Sequence, residues 1–266
     1  MKRITSRENA HFKWWRQLAD SGRERRRQGK TVLDGAHLLE AYLSRVGVPS
    51  ALAISDQGFT RPEICRLVDQ CAGCEMSQFS DALFADISPV DTPTGLLSAI
   101  DIPAAPVNPR IDGSCVVLDG VQDAGNVGSI LRSTAAGGVK WALFSPGCAQ
   151  AWSPKVLRAA MGAHFSLKLV EAVDVASVLG RYTGRIIATK PDASADLFGL
   201  DIAGPVAWLF GSEGGGLSPE LLDLATDLVR IPMAGATESL NVAAAAAICL
   251  FEAVRQADAR TRAGGP

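Results

Sequence analysis

Residues 118–135 have the sequence LDGVQDAGNVGSILRSTA and directly follow the apolar run Cys115–Val117. A short apolar run that ends at Asp-Gly predicts a β-strand followed by a turn. The apolar spacing from residue 127 onward then predicts a helix. Gly125 and Gly128 at the start of that helix would let backbone amides come close to a ligand. This stretch therefore predicts a strand–loop–helix unit with a binding loop.

The same alternation of apolar runs and helical segments continues toward the C-terminus. Continuous apolar strands that alternate with helices predict an α/β fold with a parallel sheet between helices. The predicted strands are Cys115–Leu118, Trp141–Phe144, Ile186–Thr189, Val206–Phe210 and Leu228–Ile231. The predicted helices are Val127–Ala136, Pro154–Met161, Val173–Gly180, Pro219–Leu224 and Leu240–Gln256, and a frayed tail is expected from Ala257.

A second, smaller α/β unit precedes this one. Its predicted strands are Thr31–Asp34 and Leu52–Ser55, and its predicted helices begin at Phe12, Ala36 and Pro62. Three prolines between residues 101 and 112 indicate an extended connector. We therefore predict a first domain over 1–100, a linker over 101–113 and a second domain over 114–266.

The composition is that of a folded globular protein, with 47% hydrophobic and 20% charged residues among 266. The sequence has no apolar run of the length that a membrane span requires, and no apolar segment follows the basic N-terminal residues. We therefore expect a cytoplasmic protein with no membrane association.

Charge is distributed unevenly along the chain. Residues 1–30 contain ten Lys or Arg and three acidic residues, although the whole chain has a net charge of −2. A basic end on an acidic body indicates local contact with a polyanion. The alternative is an ordinary solvated helix face.

The six cysteines include the pair Cys71 and Cys74, with Cys65 upstream. Their spacing matches half of a zinc site, but neither a second such pair nor a histidine lies nearby. We expect free thiols and no metal.

Two further motifs follow predicted strands. Residues 210–219 read FGSEGGGLSP, in which Ser218 and Pro219 suit the first positions of a helix. A simple connection does not require the carboxylate of Glu213 and three glycines, whereas backbone packed against a flat ligand would. Residues 231–248 read IPMAGATESLNVAAAAAI, in which Ser239 is the candidate helix cap and Asn241, in the first turn, is less easily explained by capping.

The three motifs do not match the Rossmann glycine fingerprint or a P-loop. In their order and spacing they resemble the three signature motifs of the SpoU (TrmH-like) family of RNA ribose 2′-O-methyltransferases, in the SPOUT superfamily. The segment Pro154–Ala163 resembles the family's stretch between the first two motifs. Residues 4–9, the basic helix and Val32–Gly35 more loosely resemble the family's substrate-binding extension. The chain is most similar to the 23S rRNA guanosine 2′-O-methyltransferase branch.

The resemblance implies a C-terminal domain with a trefoil knot and a small N-terminal domain with a ribosomal-protein-like α/β fold. It implies S-adenosylmethionine as the methyl donor and a homodimer with the active site at the subunit interface. The catalytic neighbourhood carried over by motif consists of Asn126, Arg132, Glu213, Ser239 and Asn241. The residues carried over to the donor pocket are Gly211, Ile231, Met233, Ser239 and Leu240.

The chemistry constrains how these residues act. A ribose 2′-hydroxyl is a poor nucleophile and must lose its proton during attack. The family's proposals give that proton to the arginine at position 132, but a guanidinium is always protonated. We therefore expect Arg132 to hold a phosphate and stabilise the developing alkoxide, Glu213 or a water to take the proton, and Asn126 to orient the hydroxyl.

The N-terminal domain is expected to grip RNA. Phosphate contacts would come from Arg23, Arg25, Arg26, Arg27 and Lys30. Trp14 and Trp15 would stack on bases or, as the more favoured interpretation, belong to the core.

Several alternatives remain open at this point. The substrate is most consistent with rRNA, and tRNA is the alternative. Base methylation on the same fold, a non-catalytic RNA-binding or assembly factor, and a resistance-type enzyme acting on one rRNA nucleotide are the others.

Overall fold

A computed structural model describes residues 1–106, 108–235 and 239–263. The chain forms two compact units, and neither is continuous in sequence. The first comprises Met1–Ala104 with Trp152–Phe165, and the second comprises Ala105–Ala151 with Ser166–Pro266.

The first unit contains a five-stranded sheet in the order β1-β4-β3-β5-β2. The strands β1, β4 and β3 are parallel to one another, whereas β5 pairs antiparallel with both β3 and β2. Its strands are β1 (Lys2–Ile4), β2 (Lys30–Asp34), β3 (Ala51–Ser55), β4 (Glu75–Phe79) and β5 (Leu96–Asp101). Its helices are α1 (Ala10–Asp20), α2 (Gly22–Gln28), α3 (Ala36–Arg45), α4 (Pro62–Asp69), α5 (Asp81–Ile87) and α7 (Pro154–Ala160).

Helix α7 belongs to the first unit although its sequence lies far downstream. Its apolar residues Val156, Leu157 and Ala160 are buried, and it packs against β2. The hydroxyl of Thr31 on β2 donates a hydrogen bond of 2.6 Å to the carbonyl of Trp152. The predicted division into 1–100, 101–113 and 114–266 places residues 152–165 in the second domain, whereas their contacts place them in the first unit. An apolar helix face gives no indication of which sheet it covers.

The second unit contains a seven-stranded, entirely parallel sheet in the order β10-β12-β9-β11-β6-β7-β8. Its strands are β6 (Cys115–Asp119), β7 (Trp141–Phe144), β8 (Lys168–Val170), β9 (Arg185–Thr189), β10 (Ala195–Asp196), β11 (Val206–Gly211) and β12 (Asp227–Arg230). Its helices are α6 (Ala124–Ala136), α8 (Val175–Leu179), α9 (Pro219–Asp223) and α10 (Val242–Ala263). The predicted α/β class with a parallel sheet between helices is confirmed.

Alternate side chains of the strands cover the two faces of this sheet. Val117, Leu143 and Leu209 pack in one cluster with residues of α8 and α9. Helices α6 and α10 pack against each other, and α10 also contacts β11. All the strand side chains named here are fully buried.

The strand order reverses beside β6. From β6 the chain adds β7 and β8 on one side, and it later inserts β11 between β6 and β9 on the other. In open parallel sheets, ligands bind outside the carboxyl ends of the strands at such a reversal. The loops after β6 and β11, the two strands that flank the reversal, are therefore the expected location of a site.

For residues 257–263 the predicted frayed tail is wrong, and residues 264–266 lie outside the described residues. Helix α10 continues to Ala263, because its side chains contact the segment before β11. Gln256 donates a hydrogen bond of 2.9 Å to the carbonyl of Leu200, and Arg260 donates one of 2.6 Å to that of Ile202.

Two further findings concern the length and apolarity of the helices and the protonation of the cysteines. None of the helices described in the structure is both long and apolar enough to cross a membrane. Burial raises the pKa of Cys115 and Cys249 to about 12 and that of Cys74 to about 11. These thiols are protonated at neutral pH, so they lack the thiolate that nucleophilic attack needs.

Candidate functional site

A cavity of about 440 Å³ lies at the carboxyl ends of β9, β11 and β12. The residues Gly211, Ile231, Met233, Ser239 and Leu240, taken from the sequence as the donor pocket, all line it. Glu213 and Asn241 line it as well. The second and third motifs thus meet at the carboxyl edge of the sheet, where β11 is also one of the two strands that flank the reversal.

Gly211 lines the cavity at a point where the backbone of Gly216 passes very close to it. A Cβ atom added there would lie 2.1 Å from the carbonyl carbon of Gly216, so no side chain fits. Ser212 and Gly216 exchange two backbone hydrogen bonds of 3.0 and 2.9 Å, which close the loop that carries Glu213. Gly216 has a φ of +67°, whereas a Cβ on Gly214 would meet nothing within 4 Å. The chain's own packing therefore explains Gly211 and Gly216, and Gly214 stays open to an approaching molecule.

Three polar side chains from the three motifs form one hydrogen-bonded group. The Asn126 amide donates to Oε1 of Glu213. Nδ2 of Asn241 donates to Oδ1 of Asn126 at 2.9 Å and to Oε1 of Glu213 at 3.3 Å. Among the described residues no hydrogen bond reaches Oε2 of Glu213. One carboxylate oxygen is thus held by two amides while the other remains available to a substrate hydroxyl.

The helices position two of these side chains. Asp123 caps α6 by accepting a 2.7 Å hydrogen bond from the backbone N–H of Asn126, which places Asn126 in the first turn. Asn241 caps α10, since its Oδ1 accepts from the backbone N–H groups of Ala243 and Ala244 at 2.9 and 3.2 Å. The predicted cap at Ser239 is therefore wrong, and Asn241 has the capping role that the sequence interpretation did not give it.

Arg132 lies apart from this group. It is on α6 with Asn126, but the six-residue separation turns the two side chains about 120° apart around the helix axis. Arg132 is exposed, and it makes no hydrogen bond or ion pair with the described residues. Four of the five predicted catalytic residues therefore line the cavity or belong to the hydrogen-bonded group beside it. Arg132 does neither.

One residue of this region was not singled out from the sequence. Asp119 ends β6, and its Oδ2 accepts a 2.7 Å hydrogen bond from the backbone N–H of Ser218. Its Oδ1 accepts a second one of 2.7 Å from Ser145 Oγ, at the end of β7. Asp119 thereby ties the end of the Glu213 loop to the two neighbouring strands. An acidic residue at the end of a strand in the first motif was the available signal.

The five basic residues predicted to contact RNA differ in their surroundings. Arg23 and Arg26 are exposed. Arg27 pairs with Glu24 at 2.6 Å, and Lys30 pairs with Asp101.

Arg25 requires a correction. It is 7% exposed, and its Nη1 donates to the carbonyls of Leu18 and Ala19 at 2.8 and 2.9 Å. It satisfies the C-terminus of α1 and is not available for phosphate contact.

The core interpretation of the tryptophans is confirmed for Trp15, which is 1% exposed. Trp14 is half-buried and donates its indole N–H to Gln28 at 2.7 Å. Among the described residues there is no group of three His, Cys, Asp or Glu side chains that could hold a metal ion.

Comparison with known proteins identifies the sequence family. The model of the SpoU rRNA Methylase family matches residues 113–251. An uncharacterised tRNA/rRNA methyltransferase of Synechocystis is 34% identical, over 95% of this chain and 93% of its own length. The 23S rRNA (guanosine(2553)-2′-O)-methyltransferase RlmP of Bacillus subtilis is 29% identical, over 94% of this chain and 98% of its own.

Solved structures resemble the whole chain. An RNA 2′-O ribose methyltransferase superposes with a TM-score of 0.82 at 30% identity, covering 96% of this chain and 99% of that one. The SpoU methyltransferase AviRb of Streptomyces viridochromogenes, solved with S-adenosylmethionine, gives a TM-score of 0.85 at 26% identity, covering 94% of this chain and 99% of its own.

Proposed function

Because this chain belongs to the SpoU rRNA methylase family, we propose that it transfers a methyl group from S-adenosylmethionine to a ribose 2′-hydroxyl of rRNA. The observation that carries this proposal is the network of Asn126, Glu213 and Asn241 beside the cavity. It presents a carboxylate acceptor to a hydroxyl next to a space of the size that small-molecule sites have.

The cavity suits the methyl donor in size and in chemistry. Its volume of about 440 Å³ falls within the range of small-molecule sites. Ile231, Met233 and Leu240 offer apolar surface, and the bare backbone at Gly211 permits close approach of a flat ring. When bound, S-adenosylmethionine supplies an electrophilic methyl group on a sulfonium centre.

The protein's own residues then have to orient and deprotonate the hydroxyl. Glu213 Oε2 accepts the proton of the 2′-hydroxyl while its Oε1 stays fixed by the two amides. Asn126 holds the carboxylate and orients the ribose, and Asn241 fixes Asn126 in turn. Arg132 is turned away from this network in its own chain, so in the homodimer proposed below the arginine of the second copy would hold the phosphate next to the target ribose and stabilise the developing negative charge on oxygen.

We also propose a homodimer, a trefoil knot in the second unit and action in the cytoplasm. Met233 and Leu240 are 37% and 39% exposed at the cavity and Phe251 is 48% exposed on α10, which supports burial of these side chains by a second copy. Residues 1–100 would serve as the RNA-binding domain, with a ribosomal-protein-like fold. Arg23 and Arg26 have the exposure that phosphate contacts require.

A tRNA is the second candidate substrate, because the Synechocystis relative is described as a tRNA/rRNA methyltransferase. The relatives that act on rRNA differ in target, since RlmP modifies a guanosine and a Streptomyces viridochromogenes relative modifies a uridine. The similarity therefore does not choose the nucleotide.

Mapping ribose methylation by mass spectrometry tests the function. We expect one 2′-O-methyl group to be absent from rRNA of cells that lack this protein. The purified chain should restore it when S-adenosylmethionine is added. If rRNA were unchanged and a tRNA ribose lost its methyl group, the tRNA alternative would replace rRNA. If neither RNA changed and the pure chain transferred no methyl group, the non-catalytic alternative would hold.

A further inference from the structure

A second cavity, of about 310 Å³, lies within the first unit, away from the methyl-transfer residues in sequence. It is formed where β2 ends and α3 begins, beside the first residues of α4 and the end of α7. Its polar side chains are those of Asp34, His37, Arg61, Glu63, Thr94 and Arg158. A space of this size can take one nucleobase, which is smaller than the ligands of typical small-molecule sites.

Asp34 is the unusual group in this cavity. Its side chain is only 2% exposed, and Oδ1 accepts a 2.8 Å hydrogen bond from Thr94 Oγ1. Oδ2 faces Arg158 Nη1 at 3.9 Å, which is too long for a hydrogen bond. Burial raises the pKa of the Asp34 carboxyl, as expected for a carboxylate that lacks full hydrogen bonding. Among the described residues no hydrogen bond reaches Oδ2, so the cavity contains a carboxylate oxygen that can accept one from a ligand.

Two arginines also line the cavity. Arg61 donates from Nη1 to the carbonyl of Thr94 at 2.9 Å, which leaves its other N–H groups for a ligand. The Arg158 side chain is 54% exposed and, among the described residues, makes no hydrogen bond that is short enough to hold it. The buried carboxylate disfavours an anion and the arginines disfavour a cation. The chemistry fits a neutral group that has donors on one edge and acceptors on another.

We propose that this cavity binds an unpaired guanine of the RNA substrate, an assignment that rests on the proposed function. Guanine has two adjacent donors, N1–H and N2–H, which a carboxylate can accept together. Its O6 and N7 are the acceptors that arginine binds most often in nucleic acids. Specific RNA recognition targets unpaired bases through these edges. Adenine, cytosine and uracil each lack the adjacent pair of donors.

Another acidic–basic pair of the first unit provides a matched control. Glu40 on α3 pairs with Arg66 at 3.9 Å, the same separation as Asp34 and Arg158, but both side chains are more than 60% exposed and neither lines the cavity. Substitution of Glu40 or Arg66 changes the net charge by the same amount as substitution of Asp34 or Arg158. It removes neither the buried carboxylate nor an arginine that lines the cavity.

The test measures binding of the full-length chain to short oligouridines that carry one central guanosine, adenosine, cytidine or inosine. We expect guanosine to bind about tenfold more tightly than adenosine or cytidine. Inosine, which lacks the 2-amino group, should fall between them. Asp34→Asn should remove the preference, and Arg158→Met should weaken guanosine binding, while Glu40→Gln and Arg66→Met should keep the preference. Thermal unfolding of each variant shows whether it is folded. If Asp34→Asn does not fold, the exposed Arg158 variant decides.

Equal binding of all four oligonucleotides would overturn the proposal, as would equal losses in the Asp34 and Glu40 variants. A preference for cytidine or adenosine would overturn the assignment to guanine. Methyl transfer to rRNA is measured on the same preparations. Transfer without guanine preference would defeat this inference alone, and guanine preference without transfer would defeat the proposed function alone.

Discussion

At the scale of single residues, Asn126 and Asn241 are 115 positions apart in sequence, yet they form one hydrogen-bonded group with Glu213. All three were identified from their motifs as candidate site residues. The sequence did not indicate that one carboxylate oxygen would be held by two amides, because that depends on how the motifs come together in three dimensions. Arg132 was identified from the same motif as Asn126 but stands apart, since its position on α6 turns it away from the group.

Arg132→Ala should reduce methyl transfer by about a hundredfold or more, because it removes a cation that stabilises developing charge in the transition state. Binding of S-adenosylmethionine should stay nearly unchanged, since Arg132 does not line the cavity. Turnover and calorimetric donor binding measure the two effects. The control is Arg110→Ala, at another exposed arginine of the second unit. Near-normal turnover in Arg132→Ala would rule out both proposed roles of this residue.

Asp227 gives a prediction about stability and pH. It forms a two-point ion pair with Arg185 at 2.6 and 3.0 Å, joining β12 to β9, and this pair lowers the pKa of the Asp227 carboxyl. A carboxyl with a lowered pKa in the folded state stabilises the protein above its unfolded pKa of about 3.9. That contribution is lost as the pH falls through the folded-state value.

Asp227→Asn should therefore lower the free energy of unfolding by about 1 kcal/mol at neutral pH, a value reduced from the buried case because both side chains are partly exposed. The difference from the parent protein should shrink below about pH 4. Urea unfolding at neutral and acidic pH measures it, with the exposed Asp258→Asn as a control. A difference that persists unchanged in acid would contradict the ion-pair explanation.

At the scale of helices and strands, the five strands of the second sheet predicted from apolar runs are present. The two that were missed, β8 and β10, are three and two residues long. The residues of β10 are both exposed, so this strand carries no apolar signal; it is defined only by its pairing with β12. The end of α10 was also missed, because the contacts that hold it are polar and distant in sequence.

Asn241 caps α10 and also donates hydrogen bonds to Asn126 and Glu213, and two substitutions separate these roles. Asn241→Asp keeps an oxygen that caps α10 but loses the amide donor to Glu213 and Asn126. Asn241→Ala loses both and should cost about 1 kcal/mol of stability through the missing cap. We expect Asn241→Asp to keep the melting temperature while methyl transfer falls at least tenfold. Equal activity of the aspartate variant and the parent would show that the cap is the only role of Asn241.

At the scale of the whole molecule, the structure has two compact units, and their boundaries differ from those predicted from the sequence. The upstream part of the first unit ends at Ala104, within the proline-containing segment predicted as a linker. The assignment of residues 152–165 to the first unit could not be read from the sequence. A truncation that removes residues 1–104 would strip the partners from Trp152, Val156 and Leu157, so it is a poor test of RNA binding.

Point substitutions test RNA binding without that damage. Arg23→Ala with Arg26→Ala removes two exposed cations from α2. The slope of log affinity against log salt should become shallower by about 0.7 for each phosphate of a single-stranded RNA that the variant no longer neutralises. Arg25→Ala differs, because it should lower the melting temperature by exposing the unsatisfied end of α1. An unchanged salt slope in the double variant would remove α2 from the RNA-binding surface.

The return of residues 152–165 to the first unit has a consequence for biosynthesis. Domains generally fold one after another as the chain leaves the ribosome, with the N-terminal one first. Here the surface of β2 that α7 covers stays bare until residue 165 has emerged, by which time β6, α6 and β7 of the second unit are already outside. The first unit therefore cannot be completed until these three elements of the second unit have emerged, so the synthesis of the two units overlaps. An early halt in translation leaves an open apolar sheet face for chaperones to protect.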